Sequence, residues 1–158
     1  MQYKEKEIKK GIKLHEIKTD KFKTNLIAVF LSMPITREDV TKNSLLSAVL
    51  RRGSKSMPTL AQISKEMEEM YGASFDCGLD KTGDNHILKF YIESINDNFL
   101  PQKDENMLKT SIEKLLEIVF NPLVENGAFK DEYVKQEKEN IKRKQELLPP
   151  SISRIFFF

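Results

Sequence analysis

The chain is poor in the residues that mark several protein classes. Its 158 residues include one cysteine, no tryptophan, six glycines and six prolines. Because an internal disulfide needs two cysteines, the lone Cys77 favours a reducing, cytoplasmic compartment. No apolar run approaches the roughly 20 residues that span a bilayer, so we expect no membrane partner. The charged residues 4–7 (KEKE) lead into no apolar segment, which argues against a secretory signal.

The charges are abundant but balanced. There are 26 Lys and Arg against 24 Asp and Glu, a formal net charge of +2. Acids interleave with bases, as in residues 65–69 (KEMEE). Nucleic-acid-binding proteins instead concentrate Lys and Arg on one surface, so we expect no nucleic-acid partner. The length is sufficient for one domain with its own hydrophobic core.

The order of elements predicts an α+β fold, with helices packed on one face of a mostly antiparallel sheet. Residues 24–32 (TNLIAVFLS) are apolar at nearly every position and predict a central strand covered on both faces. Residues 73–80 alternate, and residues 87–93 return after a turn at 82–85, with Leu88, Phe90 and Ile92 inward. We expect helices to begin near Thr36, Thr59, Asp104 and Lys130. The apolar face of the third is predicted to comprise Leu108, Ile112, Leu115, Leu116 and Val119.

The predicted domain covers residues 1–146, and residues 147–158 form an atypical C-terminal tail. Leu-Leu-Pro-Pro at 147–150 breaks the last helix, and the chain then reaches Ile-Phe-Phe-Phe at 155–158. We interpret this tail as a truncated or frame-altered end. The alternative is a tail that folds its phenylalanines into the open side of the domain.

Residues 42–54 (KNSLLSAVLRRGS) predict a helix with two unlike faces. At 100° per residue, one side carries bulky apolar residues: Leu45, Leu46, Val49 and Leu50. The opposite side carries small residues: Ser44, Ser47 and Ala48. This small face suits neither a solvated surface nor a core, so we expect it to line a shallow cleft or to contact a neighbouring element. Arg51 and Arg52 complement the dipole at the end of the helix.

The same segment resembles the signature helix of the pitrilysin/insulinase-type zinc peptidases, the inverzincins. Their motif is His-x-x-Glu-His, usually followed by a Gly. Aligned on Gly53, Ser44 and Ala48 stand where that family has its two His, and Ser47 stands where it has the Glu. In active members the two imidazoles bind zinc and the Glu activates water. Two hydroxyls and a methyl group can do neither.

Further segments follow the order of that family: residues 11–15 (GIKLH), 68–73 (EEMYGA), 120–122 (FNP) and 129–138. In active relatives the third metal ligand is a Glu seven residues beyond the Glu of a Glu-Arg or Glu-Lys pair. Here the count from Glu137 reaches Lys144, a cation. The resemblance therefore implies the metallopeptidase/LuxS-like fold without a metal cofactor.

The resemblance is to an inactive bacterial branch of the family, and it implies a non-catalytic homologue or subunit. Such a chain would assist peptide binding or an active zinc peptidase paralogue, in a heterodimer. In that family the substrate adds as a strand to a sheet edge. Ser44, Ser47, Ala48, Arg51 and Arg52 are then the candidate cleft or partner contacts. The alternatives are a zinc-dependent endopeptidase domain active only with a partner that supplies the metal site, and a plain interaction domain.

The other reactive residues do not predict a second site. His15 and His86 are the only histidines, and each is interpreted as a strand-edge residue rather than a metal ligand. Cys77 falls on the apolar face of its strand, which favours a buried structural thiol over a nucleophile. Ser44 and Ser47 have no neighbouring base, so neither is expected to act as a nucleophile.

Overall fold

The computed structural model describes residues 1–36, 38–101 and 106–147, with the side chain of Gln145 left out. The predictions for Asp104 and for residues 148–158 of the tail lie outside the described residues. In chain order the elements are β1 (Gln2–Lys9), β2 (Ile12–Lys18), β3 (Thr24–Pro34), α1 (Asp39–Leu50), α2 (Leu60–Glu69), β4 (Ser74–Thr82), β5 (Asn85–Ile95), a short 3-10 helix (Asp97–Phe99), α3 (Met107–Phe120), β6 (Val124–Glu125), β7 (Ala128–Phe129) and α4 (Asp131–Leu147).

The core sheet confirms the predicted α+β class. It has three antiparallel strands in the order β3-β5-β4, so β5 lies at its centre. Leu88, Phe90 and Ile92 of β5 point inward as predicted, and each is fully buried. Helices α1 and α3 lie against this inner face, and α4 lies against α1. The core therefore sits between one face of the sheet and the helices.

The prediction that β3 is a central strand covered on both faces is wrong. Among the described strands β3 pairs only with β5, and its exposed and half-buried positions alternate. Ile27 and Val29 pack on the core, whereas Leu26 and Phe30 are 67% and 65% exposed. A run of apolar residues fits a strand covered on either one or both faces. Which of the two forms depends on elements elsewhere in the chain.

The start of α2 follows the predicted capping chemistry, whereas the N-cap of α1 is Glu38 rather than Thr36 and has no side-chain cap bond. The backbone N–H of Asp39 donates to Thr36 Oγ1 at 3.2 Å, although the helix itself begins only at Asp39. Thr59 and Gln62 form a complete capping box at the start of α2. The capping prediction is therefore confirmed for α2, and for α1 Thr36 bonds to the first helical residue from outside the cap position.

The predicted apolar face of α3 is only partly right. Leu115 and Val119 are buried, but the other three residues of that face are between 39% and 42% exposed: Leu108, Ile112 and Leu116. The buried stripe instead includes Met107, Ser111, Leu115 and Ile118. Because α3 carries apolar residues on more than one side, its own sequence does not select the buried side.

Two hairpins lie outside the core sheet. Every residue of β1 and β2 is exposed, and the two strands pair with each other. Strands β6 and β7 form a short hairpin around Asn126 and Gly127. In the described part of the chain, no helix is long and apolar enough to cross a membrane.

Candidate functional site

Helices α1 and α4 and strand β4 surround a cleft of about 530 Å³. Its lining includes Ser44, Ser47 and Ala48 of α1, and Lys144 of α4. These are the four positions that the family resemblance aligned with the metal ligands and the base. The fold thus brings together, around one cleft, residues that are up to 100 positions apart in the sequence.

The two faces of α1 explain why the small residues meet the cleft. Val49 and Leu50 are buried at 5% and 6% exposure, and Leu46 packs against the same core. That anchoring turns Ser44 and Ser47 toward the cleft. Ser44 Oγ donates to the carbonyl oxygen of Val40 at 3.0 Å, and Ser47 Oγ donates to that of Ser44 at 2.9 Å. Both hydroxyl protons are therefore engaged by backbone oxygens rather than by a base.

An ion pair that the sequence did not predict ties α1 to α4. Arg52 Nε donates to Glu137 Oε1 at 2.5 Å, with the two side chains only 26% and 13% exposed. Asn140 Nδ2 donates to the other oxygen of Glu137 at 3.2 Å. The Arg52 guanidinium also lies 5.8 Å from the centre of the Tyr133 ring. In this network the positive charge of Arg52 balances the negative charge of Glu137, the carboxylate that lines the cleft.

Strand β4 forms the third wall. The Cys77 thiol lies 3.5 Å from the carbonyl oxygen of Ser47, and burial raises its pKa to about 11. Arg51 Nη1 lies 3.6 Å from Asp76 Oδ1, and both side chains are about half exposed. Among the described strands β4 pairs only with β5, so its second edge has no strand partner there. Within the described part of the chain, strand β4 therefore contributes a protonated thiol and an unpaired backbone edge to the cleft.

The residues present do not fit a zinc ion. Structural and catalytic zinc sites use thiolate, imidazole and carboxylate ligands. Here the motif positions supply two hydroxyls bound to carbonyl oxygens, a methyl group and an ammonium group. Within residues 1–36, 38–101 and 106–147, no group of three His, Cys, Asp or Glu side chains could hold a metal ion.

The two histidines lie in different settings. His15 is exposed on β2, and its Nδ1 is 2.8 Å from the Tyr3 hydroxyl oxygen. The strand-edge interpretation is wrong for His86, which lies in the central strand β5 and is only 7% exposed. Its Nδ1 lies 3.4 Å from Nδ2 of the buried Asn43. This polar pair inside the core was not predicted, since nothing in the local sequence links two residues 43 positions apart.

Comparison with known proteins gives a relative and a solved structure, while no protein-family model matches the chain. The chain is 38% identical over 135 residues to "Probable inactive metalloprotease YmfF" of Bacillus subtilis (strain 168), covering 85% of the chain and 31% of the relative. It also matches the crystal structure of a conserved protein from Enterococcus faecalis V583, with a TM-score of 0.86 and 33% identity. That match covers 91% of this chain and 33% of the other.

The chain therefore spans about a third of the length of each of these two proteins. The solved structure supports the fold. The relative's name supports the coarser part of the sequence interpretation, a metalloprotease-like protein without catalytic activity of its own.

Proposed function

We propose that this chain is a non-catalytic member of the pitrilysin/insulinase type that binds an extended peptide in the cleft and serves an active zinc-bearing paralogue. One observation carries the proposal. Ser44, Ser47, Ala48 and Lys144 line one cleft, which supports their alignment with the ligand and base positions of a metallopeptidase site. The name of the Bacillus relative agrees with the loss of catalysis.

The chemistry of the cleft supports binding rather than hydrolysis. Activation of water in this family needs a zinc ion and a general base. Lys144 places a positive charge where the third ligand would have to be negative, which disfavours any cation nearby. Cys77 stays protonated at neutral pH because burial raises its pKa to about 11, so the thiol is a poor nucleophile.

Strand β4 supports the peptide part of the proposal. Cys77, Gly78 and Leu79 line the cleft, and β4 has no strand partner on its second edge among the described residues. An extended peptide can add to such an edge through main-chain hydrogen bonds alone. This mode of binding needs no catalytic side chain, so it can persist after the metal ligands are lost.

The test is a fluorescence-anisotropy titration of the chain with a labelled extended peptide, Thr-Ser-Val-Thr-Glu-Thr-Val-Ser-Thr. Two further versions carry an N-methyl group on one or the other of two adjacent central residues. Neighbouring amides of a strand point to opposite sides, so only one of them can bond to β4. We expect one methylated peptide to bind about tenfold more weakly and the other to bind as the parent does.

Each contrary outcome identifies a different alternative. Equal binding by all three peptides contradicts strand addition. Absence of binding contradicts the peptide role and leaves the plain interaction domain. Zinc-dependent cleavage of the peptide after a partner is added would establish the composite endopeptidase instead.

A further inference from the structure

We propose that the cleft selects peptides that carry an acidic side chain, an inference that rests on the proposed peptide binding. Three cations line the cleft, Arg51, Arg52 and Lys144, against one lining carboxylate, Glu137. The site that would hold a metal cation in an active relative therefore has the charge of an anion site.

The ion pairs show which cations are available to a ligand. Arg52 is held by Glu137 in a largely buried pair, and that pair carries no net charge. Arg51 is only loosely engaged, because its Nη1 lies 3.6 Å from Asp76 and the Arg51 side chain is 53% exposed. No salt bridge to the described residues engages Lys144, whose side chain lines the cleft. Arg51 and Lys144 are thus the two cations that can meet an incoming carboxylate.

These two cations belong to different elements, because Arg51 follows the end of α1 and Lys144 lies in α4. Arg51 is next to Arg52, which contacts Glu137, and Lys144 follows Glu137 by seven residues of α4. At 1.5 Å per residue, that is about 10 Å along the helix axis. A peptide strand advances about 3.3 Å per residue, so about three residues of an extended peptide cover that length of α4. Ser44 and Ala48 leave room there for the side chains of a ligand.

The arrangement suits a peptide better than a nucleic acid. Glu137 lines the cleft and Asp76 pairs with the lining residue Arg51, so these two acids would repel the closely spaced phosphates of a polyanion. A single carboxylate on an extended peptide can instead approach Lys144, or the side of the half-exposed Arg51 that Asp76 does not occupy. The proposed ligand is therefore a strand with one or two Asp or Glu residues.

The experiment compares the Glu-containing peptide with the same peptide carrying Gln at that position. For the unmodified chain at low salt we expect the Glu peptide to bind about two- to fivefold more tightly for each cation engaged. Salt should remove the difference, since the cations are exposed. Arg51→Gln and Lys144→Gln should each lower the ratio of the Glu-peptide affinity to the Gln-peptide affinity toward one.

Lys142→Gln is the matched control. It removes the same charge from an exposed position of α4 that lies on the opposite side of the helix from Lys144. The preference for the Glu peptide should survive this change. If circular dichroism shows that Arg51→Gln does not fold, the comparison of Lys144→Gln with Lys142→Gln is sufficient to test acid selection.

The outcomes separate this inference from the proposed function. If both peptides bind equally, acid selection is wrong and peptide binding stands. If neither binds, both are wrong. An equal loss of preference in the Lys142→Gln variant would attribute the effect to overall charge and overturn the inference, as would a single-stranded oligonucleotide that competes as well as the Glu peptide.

Discussion

At the scale of single residues, Gly53 is required by the packing of the loop that follows α1. A Cβ built at this position would lie 2.7 Å from Pro58 C and O and 2.8 Å from Met57 O. These are backbone atoms, which cannot swing aside as a flexible side chain can. The neighbouring Ser54 is fully buried, and its Oγ accepts from the N–H of Met57 at 3.2 Å. Gly53 and Ser54 therefore allow the loop after α1 to pack closely against residues 57 and 58.

Gly53→Ala is accordingly expected to lower the free energy of unfolding by about 1–3 kcal/mol, as overpacking does. Gly78→Ala is the matched control, because its nearest neighbour would be the flexible Lys89 Cε at 3.4 Å. Urea titrations of the two variants provide the measurement. Equal losses of stability would contradict the close packing around Gly53.

The Cys77 thiol predicts a dependence of stability on alkaline pH. Burial raises its pKa from an ordinary 9.0 to about 11, so the folded chain keeps this proton after the unfolded chain has lost it. The resulting stabilisation is complete below pH 9 and is lost as the pH rises toward 11. The free energy of unfolding should thus fall more steeply between these pH values than it does in Cys77→Ser. Parallel slopes for the two proteins would show that the thiol is not buried.

At the scale of elements, the sequence predicted best what depends on neighbouring residues. The capping box at Thr59 and the hairpin between β4 and β5 follow from local spacing. The bulky face of α1 is confirmed for Leu46, Val49 and Leu50, but Leu45 is not part of the core cluster. The burial of β3 and α3 did not follow, since it depends on distant partners. The β6–β7 hairpin was missed although Asn126-Gly127, with φ values of 52° and 80°, is a strong turn signal.

The candidate site, too, could be predicted from the sequence only in part. The small face of α1 and the seven-residue spacing to Lys144 can be counted from the sequence, and the structure brings both to one cleft. The ion pair between Arg52 and Glu137 spans 85 positions and has no local signal. The net charge that the cleft presents to a ligand depends on which of its cations are paired with acids. It could therefore be obtained only from the structure.

Two phenylalanines on adjacent strands test the two faces of the core sheet. Phe90 is fully buried, and Phe90→Ala should cost about 3–5 kcal/mol of unfolding free energy. Phe30 is 65% exposed on the outer face, and Phe30→Ala should cost less than about 1 kcal/mol. Chemical denaturation of both variants gives the comparison. A large cost for Phe30→Ala would mean that the outer face is covered in solution, and sedimentation would then show whether a second copy covers it.

At the scale of the whole molecule, the scaffold and the chemistry of the cleft are separable. The cleft is assembled from α1 and β4, which pack on the core, and from α4, which the Arg52–Glu137 ion pair holds beside them, so no metal ligand is needed to position these elements. The fold alone therefore does not determine the chemistry, which depends on the residues that line the cleft. The same independence means that metal ligands can be introduced without remaking the core.

Restoring the motif tests this separation and the family alignment together. The triple variant Ser44→His, Ser47→Glu, Ala48→His places two imidazoles one helical turn apart on the cleft face, away from Val49 and Leu50. We expect it to fold and to bind zinc in calorimetric titrations, whereas the unmodified chain binds none at this helix. Adding Lys144→Glu should tighten binding by about tenfold, because it supplies a third ligand from across the cleft. Adding Lys142→Glu instead makes the same charge change on the opposite side of α4, so it should leave the affinity nearly unchanged. A folded triple variant that binds no zinc would show that the alignment on Gly53 is mistaken, and equal effects of the two Glu changes would show that Lys144 does not face the restored site.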